Sequence, residues 1–238
     1  MKVDILAFGA HPDDVELSAA GTILKYISLG KKVSIVDLTE GELGSRGTSQ
    51  TRKIEAQDAA KILGVAARVN LNLGDGFFEY NKENLMRVIE QIRYFKPDIV
   101  FANAIDDRHP DHAKGSKLVS DACFLAGLLK IETNYLGERQ DHYRPKAVYH
   151  YIQDRYIKPD FVIDISNFVD LKFEAILAYK TQFYNPEMEG PETPISGENF
   201  INFLKGRMST MGRDIDVSFA EGFTTERIMG VKNLFDLI

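Results

Sequence analysis

Apolar residues first gather in a short run, Val3 to Gly9, that ends in glycine, the pattern of a strand buried on both faces. The spacing then changes: Leu17, Ala20, Leu24 and Ile27 recur at helical intervals, and Gly30 marks the stop. Lys32 to Leu38 reads as a second strand. Thr39 to Gln50 has little apolar content and reads as a loop. Ala56, Ala59, Ala60 and Leu63 mark a second helix that Gly64 ends, and Val69 to Leu73 alternates as a strand does. Leu85 to Phe95 forms a third amphipathic helix closed by Pro97, Asp98 to Asn103 a fourth strand, and Ala113 to Leu129 a further helix.

This strand–helix rhythm predicts right-handed crossovers and an α/β, Rossmann-like, mainly parallel sheet flanked by helices. Beyond it the rhythm weakens into an elaborated C-terminal part. Ala147 to Ile152, Phe161 to Ile165 and Val217 to Phe223 read as strands, Phe168 to Tyr179 and residues 198–213 as helices, and Phe183 to Gly197 as a loop. No repeat or low-complexity linker divides the chain, so a single domain over 1–238 is expected.

Composition narrows the functional classes. The 238 residues are 44% hydrophobic and 27% charged, ordinary globular proportions. The net charge of -6 argues against a broad nucleic-acid-binding surface but leaves room for a local cationic pocket. The single cysteine, Cys123, cannot pair within the chain or build a cysteine metal cage, and its apolar neighbours suggest a small core side chain. No apolar run reaches membrane-spanning length, and the N-terminal run is too short for a secretory leader. A cytoplasmic protein is the expectation.

In open parallel sheets, ligands collect at the carboxyl ends of strands. Ala10-His11-Pro12-Asp13-Asp14 follows the first strand. Arg108-His109-Pro110-Asp111-His112 follows the fourth, after an acidic loop with Asp106 and Asp107. These segments hold three of the chain's five histidines. A catalytic zinc site uses about three protein ligands and leaves a position for water. His11 and Asp14 can face one ion because Pro12 stiffens the turn between them, and His112 completes the set. Asp13 then stays free beside the ion, as a general base must. The other reading makes His-Pro-Asp-Asp a turn, with Asp13 or Asp14 capping the following helix.

With these motifs the chain resembles the zinc-dependent LmbE-like (PIG-L) N-acetylglucosamine deacetylases. The resemblance extends over Leu38 to Gly47, Thr51 to Ala56, Leu73 to Gly76 and Phe219 to Phe223. The HPDDVE form of the first motif is most similar to the bacillithiol-biosynthesis deacetylases, which act on N-acetylglucosaminyl-malate. Many members carry an acid directly after the second Asp, whereas here Val15 intervenes before Glu16. The resemblance implies one zinc ion per chain on His11, Asp14 and His112, with Asp13 as general base and His109 at the developing oxyanion. Ligand type alone admits iron(II) in place of zinc. It further implies a homo-oligomer, hexameric in some members, acting on a small N-acetylglucosamine conjugate.

Glu42, Arg52 and Asp75 match family positions that contact sugar hydroxyls; Arg52 can equally form an exposed pair along its helix. Arg108 can clamp a malate carboxylate or pair with Asp106 or Asp107, and Arg46 is a candidate of the same kind. Asp111 can orient a ligand histidine or serve the turn. His142 and His150 read as surface or core residues. Gly41, Gly44 and Gly47 lack dinucleotide-loop spacing after a strand, and Ser45 lacks a nucleophile-elbow context. Three alternatives remain: deacetylation of free N-acetylglucosamine or chitooligosaccharides, a non-catalytic metal-holding module, and a two-metal phosphoesterase.

Overall fold

The computed structural model describes residues 1–236. Its central element is β1 (Ile5–Gly9), which pairs in parallel with β2 (Val33–Asp37) on one side and β4 (Ile99–Ala102) on the other. β3 (Ala67–Asn70) extends the sheet beyond β2, and β7 (Ala147–Tyr151) extends it beyond β4, both in parallel. β9 (Ala220–Thr225) and β8 (Phe161–Asp164) complete the order β3-β2-β1-β4-β7-β9-β8, joined by antiparallel pairings. The sheet is mainly parallel, as the sequence predicts, and its antiparallel edge is the C-terminal elaboration.

Side chains on β1 alternate between two cores, as the two-residue strand period requires. Leu6 and Phe8 enter a cluster with Val88, Ile92, Leu118 and Val119, from α3 (Lys82–Phe95) and α4 (Pro110–Ala126). Ile5 and Ala7 enter the opposite cluster with Val15, Ala19 and Ile23 of α1 (Asp14–Ser28). On that same side α2 (Ser49–Leu63) packs against α5 (Val169–Leu177). Phe173 and Ile176 of α5 meet Leu204 and Met208 of α6 (Glu198–Arg213) in a third cluster.

Differences from the expected elements have local causes. α4 begins at Pro110 rather than Ala113, because the N–H that proline lacks would have no partner at the first helical position anyway. The third strand ends at Asn70 because Asn72 turns at φ 47. A two-stranded hairpin, β5 (Asn134–Tyr135) and β6 (Glu138–Arg139), lies where the pattern showed nothing; Leu136 and Gly137, with φ of 53 and 83, make its turn. Cys123 is buried in the core and His142 is exposed. Among the described residues, no helix is long and apolar enough to cross a membrane.

The strand order makes β1 and β4 a topological switch point: from β1 the chain proceeds outward through β2 and β3, then returns to the other side of β1 as β4. The loops leaving β1 and β4 therefore diverge and open a crevice between them. Both histidine motifs lie in those two loops.

Candidate active site

His11-Pro12-Asp13-Asp14 turns directly from β1 into α1. Asp13 occupies the N-cap position at φ 113, an unfavourable conformation for a non-glycine residue, and its side chain makes no capping hydrogen bond. The capping alternative therefore fails for Asp13, whose carboxylate lines the cavity instead. Asp14 opens the helix. Its Oδ2 accepts from the His11 backbone N–H at 2.9 Å and from Asn103 Nδ2 at 3.0 Å; its Oδ1 accepts from Gln153 Nε2 at 3.0 Å.

The second motif is the first turn of α4. His109 is the N-cap, and its Nδ1 accepts from the Asp111 N–H at 3.3 Å. Pro110 and Asp111 follow, and His112 is the third helical residue. Helix geometry thus places both histidines on the crevice side. Ring nitrogens of His11, His109 and His112 all lie within 4.8 Å of one another.

Donor atoms that share a zinc ion at about 2.0–2.2 Å sit roughly 3.3 Å apart in a tetrahedral shell. Asp14 Oδ1 is 3.1 Å from His112 Nε2, and Asp14 Oδ2 is 3.6 Å from His11 Nδ1. Each histidine thus lies near one oxygen of Asp14, while among the described residues the groups whose donor atoms all fall within 4.8 Å of one another are His11, His109 and His112, and His11, Asp75 and Asp111. The far nitrogen of each imidazole is held by another carboxylate: His11 Nε2 meets Asp75 Oδ1 at 2.9 Å, and His112 Nδ1 meets Asp107 Oδ2 at 2.5 Å. Such carboxylate partners fix ring orientation and make the ligating nitrogen more basic.

The protonation pattern of the metal-free site agrees. Burial opposes a charge on His112, but the Asp14 charge and hydrogen bonds to Asp107 and Asp14 hold its imidazole up at about 9. His11 is likewise raised, against burial, by hydrogen bonds to Asp111, Asp14 and Asp75. Protons thus stand where a cation would, and metal binding must displace them. His109 behaves oppositely: burial, then the neighbouring His11 and His112 charges, lower it. With Nδ1 accepting a backbone N–H, neutral His109 carries its proton on Nε2 as a donor.

Asp13 forms a buried ion pair with Arg52, whose Nη2 lies 3.0 Å from Asp13 Oδ2 and also donates to the Pro12 carbonyl. Burial pushes the Asp13 carboxyl up to about 7, against the pull of Arg52. Gly41, at φ 66, lets the chain pass the guanidinium closely: a Cβ there would lie 3.1 Å from Arg52 Nη2.

The expected substrate contacts have protein partners of their own. Arg52 is buried rather than paired on the solvent face, and it serves Asp13. Asp75 lines the cavity, but its oxygens are taken by His11 and by the Leu43 N–H at 3.0 Å. Glu42 braces the loop: Oε1 accepts from the Asp75 N–H at 2.7 Å and Oε2 from the Glu40 N–H at 3.2 Å. Arg108 pairs with Asp154 at 2.7 Å rather than with Asp106 or Asp107. Arg46 reaches the Met188 carbonyl at 3.4 Å. Asp111, 3.5 Å from His11 Nε2, also accepts from Gly76 N–H and Lys114. Glu16 is fully buried and accepts from Arg68 and the Tyr179 hydroxyl, so it is committed to the helix packing beneath the site.

Three residues that position the site escaped the motif reading: Asn103, Asp107 and Gln153. Asn103 directly follows β4 and Gln153 is the second residue after β7, so the strand-end rule alone marks them. Gln153 Oε1 accepts from both Asn103 Nδ2 and the Ala104 N–H, which locks its amide toward Asp14. His150 is buried beneath them, against Ser116, the Asn103 carbonyl and Glu226.

The crevice encloses a cavity of about 240 Å³. One end carries the histidines and acids; the other is walled by Leu17, Ile195, Phe200 and Leu204, with Arg207 beside them. The segment expected as a loop over 183–197 thus supplies part of the wall through Ile195.

An Arg52-paired carboxylate beside His11, Asp14 and His112, at the switch point of a Rossmann-like sheet, is the kind of site a metal-dependent hydrolase uses. Comparison with known proteins agrees. Residues 6–123 match the PIG-L family, described as GlcNAc-PI de-N-acetylase. The structure of the conserved protein TT1542 from Thermus thermophilus superposes with a TM-score of 0.85 at 32% identity, covering 97% of this chain and 98% of that one. Diacetylchitobiose deacetylase of Thermococcus kodakarensis is 29% identical over 75% of this chain and 70% of its own length. A probable N-acetyl-alpha-D-glucosaminyl L-malate deacetylase 2 of Bacillus subtilis is 28% identical over 76% of this chain and 84% of its own. The chain belongs to the PIG-L, or LmbE-like, family of zinc-dependent deacetylases.

Proposed function

We propose that the protein removes the N-acetyl group from an N-acetylglucosamine conjugate, with N-acetylglucosaminyl-L-malate, the bacillithiol precursor, as substrate. The observation that carries this reading is the Asp13 carboxylate, turned into the cavity beside His11, Asp14 and His112 rather than spent on a helix cap. The malate deacetylase relative supports the conjugate.

His11, Asp14 and His112 would hold zinc, or iron(II), one ion per chain. Bound zinc lowers the pKa of a water to about 7 and polarises the acetyl carbonyl. Asp13 takes the proton of the attacking water and returns it to the departing amine. Arg52 fixes the Asp13 carboxylate during both transfers. His109 donates from Nε2 to the oxygen that gains charge as the carbonyl becomes tetrahedral. Removing such a donor costs about 10²–10³ in turnover.

A second reading keeps the chemistry and takes diacetylchitobiose or free N-acetylglucosamine; the chitobiose deacetylase relative and the uncharged wall of Leu17, Phe200 and Leu204 favour it. A purely structural ion is disfavoured by Asp13, which lines the cavity without capping the helix. The two-metal phosphoesterase draws on the second acidic group, His11, Asp75 and Asp111, but it shares His11 with the first. We further infer a cytoplasmic homo-oligomer, hexameric by family resemblance, which light scattering would measure.

The test is release of free amine from N-acetylglucosaminyl-malate by the zinc-loaded protein, compared with diacetylchitobiose and N-acetylglucosamine. A higher kcat/KM on the malyl conjugate is expected. Equal values on all three would remove malate from the proposal.

A further inference from the structure

Three arginines line the cavity, and they differ in what neutralises them. Arg52 is paired with Asp13 at 3.0 Å and Arg108 with Asp154 at 2.7 Å. Arg207, on α6, hydrogen-bonds only to backbone: it donates to the Gln153 carbonyl and, at 3.5 Å, to the Leu17 carbonyl, and its guanidinium lies over the Phe203 ring at 5.6 Å. Among the described residues, no carboxylate oxygen lies within 4.0 Å of it.

An unpaired guanidinium beside Leu17, Ile195, Phe200 and Leu204 is costly, because low-polarity surroundings penalise a charge without a counterion. Two backbone carbonyls satisfy part of its donor fork, which has further N–H groups to offer, and the residue lines the cavity. Burial holds the group below the ordinary arginine value, against the pull of the Asp154, Glu221 and Asp107 charges, which are paired with Arg108, Lys172 and His112 and do not contact it directly. The missing element is an anion, and the cavity is where it can enter.

We propose that Arg207 recognises an oxyanion, carboxylate or phosphate, on the group attached to the N-acetylglucosamine. This rests on the deacetylase reading above and moves the cationic contact for that group from Arg108, which Asp154 already neutralises, to Arg207. A guanidinium fork binds such a group through two parallel hydrogen bonds, which an ammonium cannot reproduce. The contact also explains how one site separates charged conjugates from neutral sugars. A charged substrate completes the arginine's partners, whereas a neutral one leaves it unpaired.

Arg207 also supports Gln153, whose side chain holds Asp14, so its removal acts on every substrate to some degree. The informative readout is therefore a ratio. Arg207→Gln and Arg207→Lys are compared with the wild type on N-acetylglucosaminyl-malate and on uncharged diacetylchitobiose, all zinc-loaded. The expected result in Arg207→Gln is a KM about 10–100-fold higher on the malyl conjugate, the loss of one charged hydrogen-bonded contact, with a far smaller change on chitobiose. Arg207→Lys should fall between the two. Equal proportional losses on both substrates, or none on the malyl conjugate, overturn the inference.

N-acetylglucosamine 1-phosphate, assayed alongside, separates the two anions: the substrate with the larger loss in Arg207→Gln carries the preferred group. If no sugar releases amine, the deacetylase reading fails by itself. L-malate and inorganic phosphate are then titrated separately into wild type and Arg207→Gln. A Kd weakened about tenfold for either anion sustains the site; unchanged Kd values for both overturn it.

Discussion

Arg52 reaches across from α2 to place Nη2 3.0 Å from Asp13 Oδ2, making a buried ion pair between the expected sugar contact and the expected base. Arg52 thereby sets both the direction and the acidity of the carboxylate. An opposite charge this close favours the ionised form by about 1–3 pKa units. Arg52→Ala should therefore move the acidic limb of the pH–kcat/KM profile upward by at least about one unit. Arg52→Lys should restore part of the shift. A profile lowered in height but unmoved along the pH axis would show that Arg52 touches only substrate.

Asp75 and Asp107 each hold one ring nitrogen of His11 and His112, the imidazoles proposed to bind zinc. Asp75→Asn and Asp107→Asn should each weaken zinc affinity by about 10–100-fold. Competition with a chromophoric chelator measures this. Affinity unchanged in both variants would mean that the imidazoles are oriented by packing alone.

The metal-free protein should lose stability as pH rises. Folding raises the His112 value from 6.5 to about 9 and the Asp13 value from 3.8 to about 7. A group raised by folding contributes stability that is complete below its unfolded value and is lost as pH climbs through its folded value. The lowered groups act the other way, the carboxylates Asp14 and Asp75 near and below 3.8 and His109 below about 6.5, where it opposes the two raised groups. From about pH 5 to 9 the Tm of the metal-free protein should therefore fall, and zinc should remove most of that dependence by taking over from the His112 proton. Calorimetry with and without chelator checks the sign. A metal-free Tm that rises over this range would contradict it.

Cys123 is buried between α4 and the sheet, and burial pushes its thiol up, away from the reactive thiolate. Native protein should resist thiol alkylation, and labelling should reach one group per chain only after unfolding. Rapid native labelling would place the α4 packing in error.

The sequence made the sheet legible because buried parallel strands are short apolar runs and the helices between them keep a 3.6-residue period. It also marked the segments of His11, Asp14 and His112, which the fold brings to one crevice, since strand-end position and residue type coincide there. What stayed hidden depends on contacts distant along the chain. Nothing local to Arg52 announces Asp13, and nothing near Arg108 announces Asp154, 46 positions away. Asn103 and Gln153 are ordinary polar residues until the switch point brings β4 and β7 beside Asp14. The hairpin around Leu136 was missed because strands of two residues carry no readable period.

The most direct measurement of the central claim is amine release by Asp13→Asn from the preferred N-acetylglucosamine conjugate, with bound zinc quantified in the same sample. Asp13→Asn is expected to keep one zinc per chain and to lose about 10²–10⁴ in kcat, the range for a general acid–base group. Turnover near the wild-type value at full zinc occupancy would contradict the assignment of Asp13 as the base. Loss of the ion would show instead that Asp13 helps to hold it.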